Sequence, residues 1–156
     1  MRRFALIGVA VIAVAGSSGC ASPGGARPDP VVTGEACVSW VEFDTPADAA
    51  AEATGVVRGR ATELIGTRSR YGEDADVWEV EVERWLHGEG EERIEVLSLP
   101  ETCGVTYSAG DPLEKSGGEP VILLLREAEG RWETITPYQG VIAPGPDGGI
   151  PDAWAE

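Results

Sequence analysis

The stretch Asp76-Val-Trp-Glu-Val-Glu-Val-Glu-Arg-Trp-Leu-His-Gly88 decides the fold class. Trp78, Val80 and Val82 share one side of an extended chain, while Glu79, Glu81 and Glu83 share the other. A period of two fits a strand with one buried and one solvated face and does not fit an amphipathic helix. The connection His87-Gly-Glu-Gly-Glu91 carries two glycines and suits a hairpin into a second strand, Glu92–Pro100.

Working outward, other segments have strand lengths and patterns. Cys37–Phe43 is a first candidate, and Thr54–Gly66 is a longer one whose central Gly59 predicts a bulge. Between them, Thr45 and Pro46 have the chemistry of an N-cap and a first helical residue. Arg68–Asp76 reads as a polar connector. Glu119–Glu127 contains the unbroken run Val-Ile-Leu-Leu-Leu, expected of a strand covered on both faces. Arg131–Thr136 completes a hairpin with it across Glu127–Gly130, and Gly140–Pro151 reads as two short extended pieces around an Asp-Gly-Gly turn. Many short strands with glycine-rich turns and one or two short helices predict a mainly β domain, a small barrel or sandwich.

The N-terminus points to export. Arg2 and Arg3 precede a short apolar run ending near Ala15, the layout of a signal peptide. The run falls short of the roughly 20 apolar residues needed to cross a bilayer. Ser17-Ser-Gly-Cys20 then resembles a bacterial lipobox, with Ser18 and Gly19 as small residues before the cysteine and Ser17 where Leu is usual. That resemblance implies cleavage before Cys20 and lipidation of it, and each buried acyl CH₂ is worth about 0.8 kcal/mol of membrane binding. The alternative is plain secretion with Cys20 as a spare thiol. The expected organisation is a signal peptide over 1–19, a lipidated Cys20 with a Pro/Gly-rich linker over 20–36, and one β domain over 37–156. The expected location is the extracytoplasmic face of the cell membrane.

The chain has three cysteines, Cys20, Cys37 and Cys103. With Cys20 lipidated, Cys37 and Cys103 remain as a disulfide pair in an oxidising compartment, the alternative being two buried thiols. Closing so long a loop is worth about 4 kcal/mol in the chain-entropy model. Loss of residues 1–19 would leave 10 basic against 27 acidic residues, a formal charge of −17. Such a balance argues against nucleic acid as a partner, because binding there rests on basic neutralisation of phosphates. It equally disfavours a polybasic grip on anionic lipid.

Several features in sequence order are similar to bacterial proteins with an OB-like Greek-key barrel related to the tissue inhibitors of metalloproteinases and netrin-like modules. They are an aromatic-to-glycine strand end (Trp85 to Gly88), Cys103-Gly104, and an aromatic shortly before a glycine (Tyr107 to Gly110). The resemblance spans roughly residues 37–136. It implies an exported barrel in which these residues are packing and turn devices, with Gly104 and Gly110 allowing backbone that other residues resist. It does not carry over the inhibitors' zinc-chelating N-terminal Cys-x-Cys, because Cys37 is followed by Val38 and Ser39 and lies behind a linker.

The residue inventory offers little for catalysis. His87 is the single histidine and has no partner at a recognisable spacing, so no catalytic residue is expected. No Cys/His zinc pattern, calcium-loop spacing or phosphate loop appears, although Glu73–Asp76 and Pro146–Gly149 are acidic or turn-like. Neither a metal nor a cofactor is expected. Trp40, Trp78, Trp85 and Trp132 are candidates for a binding face, at least half of them as core. The leading expectation is a non-enzymatic, lipid-anchored binding module for an extracytoplasmic protein or envelope polymer. Alternatives are a loop-based protease inhibitor, or an enzyme using carboxylates such as Glu79 and Glu81.

Overall fold

A computed structural model describes residues 37–102 and 110–155. In chain order the elements are α1 (Pro46–Glu52), β1 (Gly55–Arg70), β2 (Glu73–His87), β3 (Arg93–Leu97), α2 (Pro112–Lys115), β4 (Val121–Ala128), β5 (Arg131–Thr134) and β6 (Val141–Ile142). The strands pair in the order β1-β2-β3-β5-β4, and β4 returns to β1. The protein is therefore mainly β, a closed five-strand barrel with two short helices, as an OB-like barrel requires. β6 pairs with the start of β4, along the same edge that β5 uses farther on.

The ring closes because β1 is long and bent. Its first residues, Gly55–Gly59, lie between β4 and β2, and from Ala61 onward it pairs with β2 alone. Register irregularities at Arg58/Gly59, Ala61/Glu63 and Leu64/Gly66 coil the strand around the barrel. Gly59 permits a close approach of two backbones: a Cβ there would lie 2.6 Å from the Glu81 carbonyl oxygen.

The residues expected to be a polar connector, 68–76, are instead mostly strand. β1 and β2 stay paired to Arg70↔Glu73 and turn through Tyr71-Gly72, with Tyr71 at φ 56° and Gly72 at φ 87°. Paired strands satisfy their own backbone groups, so polar side chains do not end a hairpin whose outer surface is wet. The other correction is Cys37–Phe43, which contains no strand. Side chains hold it in place of a ladder. Val38 N–H donates to Thr102 Oγ1 (3.0 Å), Gln139 Oε1 accepts from Phe43 N–H (2.9 Å), and Gln139 Nε2 donates to the Phe43 carbonyl (2.9 Å). Of the two extended pieces expected in Gly140–Pro151, only β6 is a strand.

Two apolar clusters share the wall formed by β4. Val121, Leu123 and Leu125 point into the barrel with Val57, Val80, Ile94 and Val96. Ile122 and Leu124 face the other way, against α1 (Ala49, Ala53), Ile135 and Trp154 of the C-terminal segment. A strand covered on both faces needs an unbroken apolar run, as its sequence predicts. Each fully buried Leu or Ile is worth about 1.5–3 kcal/mol. α1 starts where expected: Thr45 Oγ1 accepts from Asp48 N–H (3.1 Å), and Pro46 occupies the first turn.

Candidate ligand groove

The barrel is closed unequally. β3 and β5 run parallel and meet at only two pairs, Val96↔Trp132 and Leu97↔Glu133. β3 continues back to Arg93, paired throughout with β2, but among the described residues no strand covers its opposite edge there. A depression of about 660 Å³ occupies the gap. One wall is Arg93–Glu95, the other is Gly130–Trp132, and Gly90-Glu91 border one end. A smaller hollow of about 70 Å³ continues from Arg131 and Trp132 toward Arg68 and Glu133.

Trp132 lines the floor, and Trp85 packs against it. Their rings sit 5.4 Å apart at 51°, and both pack on the barrel core. Two glycines make room: a Cβ on Gly55 would lie 2.9 Å from the Trp132 ring, and one on Gly90 would lie 2.4 Å from Trp85. Trp85 Nε1 donates to the Glu91 carbonyl (3.3 Å), which ties the preceding loop to the floor. Trp78 also packs on the core and donates Nε1 to Asp111 Oδ2 (3.2 Å). Trp40 lies apart from these, edge-on to Tyr71 at 5.5 Å. The four tryptophans thus do not form one exposed face; three serve the core, and Trp132 alone also reaches the groove.

Charges line the outside. Glu79 takes Arg93 at 3.6 Å, and Glu95 takes Arg68 at 3.5 Å, both with exposed partners that water screens. Arg131 is exposed and borders both hollows. Farther along, Glu83 holds Arg60 (2.9 Å) and Arg58 (2.8 Å), the latter as an ion pair without hydrogen-bond alignment. The Glu79–Glu83 row is therefore mainly an arginine clamp on the outer face. At the far tip, nearly buried Glu133 receives Arg126 Nε (2.5 Å) and Arg70 Nη2 (3.0 Å for the ion pair), and Arg126 also donates to the Tyr71 hydroxyl (2.8 Å). The hydrogen bond that Arg70 donates to Glu133 is the main cause raising the Arg70 guanidinium above its already high ordinary range.

The remaining sequence-predicted residues scatter. His87 is exposed at the end of β2. Gly88 (φ 77°) and Gly110 (φ 67°) have the left-handed backbone that favours glycine, and a Cβ on Gly88 would crowd the Thr54 carbonyl at 3.0 Å. Cys37 is exposed. Cys20, Cys103, Gly104 and Tyr107 lie outside the described residues, as do the expected lipidation and the Cys37–Cys103 pairing.

Among the described residues, no three His, Cys, Asp or Glu side chains are grouped to hold a metal, and no helix is long and apolar enough to cross a membrane. A separate acidic hollow of about 330 Å³ includes Asp76 and Asp111. Burial first, then the charges of Asp111 and Glu114, pushes the Asp76 carboxyl upward.

Sequence reading missed Arg131 and the uncovered β3 edge. The alternation of Arg93-Ile-Glu95 signals outward polar side chains, but the early end of the β3–β5 ladder has no local signal. No family model, curated protein or solved structure matches this chain.

Proposed function

We propose that the protein is a non-enzymatic binding module, tethered through a lipidated Cys20 to the extracytoplasmic face of the membrane, that takes its partner in the groove between β3 and β5. The observation that carries this reading is the open seam itself. There an aromatic floor, an exposed arginine and an unpaired strand edge converge on a curved barrel face beside the β4–β5 turn. Ligand sites combine an apolar floor with a few polar groups that fix orientation, and OB-type barrels use a curved face and its loops in this way. The partner is an extracytoplasmic protein or envelope polymer. The Cys37–Cys103 bridge belongs to the same proposal, as the staple that fixes the start of the domain outside the cytosol. The tissue-inhibitor and netrin-like resemblance is proposed for the barrel alone.

Two measurements test the reading. A photo-crosslinking side chain at Arg131, in cells, is expected to give a discrete adduct that the same group at exposed Ala47 on α1 does not give. Equal labelling at both positions, or none at either, removes the groove. Labelled palmitate is expected to enter the wild-type chain and be lost in Cys20→Ala; no incorporation in either removes the anchor.

A further inference from the structure

The seam also has a main-chain chemistry. Val82 N–H donates to the Glu92 carbonyl (2.8 Å), and Ser98 N–H donates to the Asp76 carbonyl (2.8 Å). In an antiparallel ladder the backbone groups of alternate residues point to the same side. Glu92, Ile94, Val96 and Ser98 therefore turn their N–H and C=O toward β2, and Arg93, Glu95 and Leu97 turn theirs toward the seam. Parallel pairing of Val96 with Trp132 engages the Glu95 carbonyl and the Leu97 N–H. What remains is the N–H and C=O of Arg93 and the N–H of Glu95, facing the hollow with no strand opposite among the described residues.

We infer that the groove accepts an extended, basic polypeptide segment as an added strand on β3, with side chains alternating basic, apolar, basic. This rests on the groove being the binding face proposed above and names its partner class. The reasons are geometric and electrostatic. A strand laid on the Arg93–Glu95 edge satisfies those three backbone groups, the mode by which sheet edges capture peptides. With a side-chain period of two, a residue opposite Ile94 falls over Ile94 and Trp132, the apolar floor.

Its neighbours then fall on the outer side with Glu95. The adjoining exposed loop contributes Glu89, Glu91 and Glu92, while Arg93 is occupied by Glu79. Glu79, Glu89, Glu91, Glu92 and Glu95 outnumber Arg68, Arg93 and Arg131 at this rim, and the chain as a whole carries a formal charge of −15, so a cationic segment is steered toward it.

Peptide titrations of the purified protein, read by amide NMR shifts, test the inference. An acetyl-Lys-Val-Lys-Val-Lys-amide peptide is expected to shift Arg93, Glu95 and the Trp132 indole. The Glu-Val-Glu-Val-Glu counterpart, and the lysine peptide N-methylated on alternate amides, are expected to be at least about tenfold weaker. Glu95→Lys, a substitution at an exposed site, is expected to weaken the lysine peptide about tenfold with an unchanged melting curve. Methylated and plain peptides binding alike, or shifts confined to other surfaces, overturn the inference. If a soluble glycan chain shifts these amides and the lysine peptide does not, the added strand is wrong while the groove stands. Silence of every probe, together with no adduct from position 131, removes both.

Discussion

Asp76 shows how one partly buried carboxylate sets a pH dependence. It sits beside Asp111, which is committed elsewhere: Asp111 Oδ1 caps α2 by accepting Leu113 N–H (2.7 Å), and Oδ2 accepts from Trp78 Nε1. Burial first, and then the charges of Asp111 and Glu114, push the Asp76 carboxyl upward. A carboxyl that binds its proton more tightly folded than unfolded contributes stability that is fully present in acid, below its unfolded value. That stability is lost as pH rises through the raised folded value. Asp76→Asn is therefore expected to be more stable than wild type at about pH 7, with the two converging near pH 3 where the carboxyl is protonated in both states. Urea denaturation at the two pH values measures this; an Asn variant no more stable at neutral pH contradicts the burial argument.

At the scale of elements, the long β1–β2 hairpin depends on a small residue where two backbones touch. Gly59→Ala puts a methyl group 2.6 Å from the Glu81 carbonyl oxygen, against main chain that cannot swing away as a side chain could. The expected cost is about 1–3 kcal/mol, typical of overpacking, read as a lower denaturation midpoint with an unchanged slope. A neutral result means that the bulge beside Gly59 takes up the strain. The distal end of the same hairpin is held by the Arg70–Glu133–Arg126 group, where one carboxylate pairs with two guanidinium groups from different strands. Gly59 at a bulge was legible from its place inside an apolar strand. The distal group was legible only in part: Arg126 and Glu133 face each other across the β4–β5 hairpin, whereas Arg70 lies 63 residues from Glu133 and reaches it only through barrel closure.

For the whole molecule, the formal charge of −15 sets a self-repulsion that the exposed ion pairs offset only in part. Raising salt shortens the screening length from about 10 Å at 0.1 M to about 3 Å at 1 M. Thermal melts from low to high NaCl are expected to show the midpoint rising by about 2–4 °C. A falling midpoint would mean that the arginine clamps on Glu83 and Glu133 outweigh the repulsion.

The sequence by itself determined the elements that repeat over short distances. The two-residue period of Trp78–Glu83 made β2 one-sided, the Val121–Leu125 run made β4 two-sided, and Thr45-Pro46 started α1. These depend on neighbours along the chain, whose side chains alternate or cap regardless of what packs on them. Tertiary structure alone decided that Trp78, Trp85 and Trp132 serve the core, that Cys37–Phe43 lies down without a ladder, and that β5 leaves β3 uncovered at Arg93. Each is set by how far two distant strands run together before the barrel's curvature separates them, a distance that no local pattern encodes.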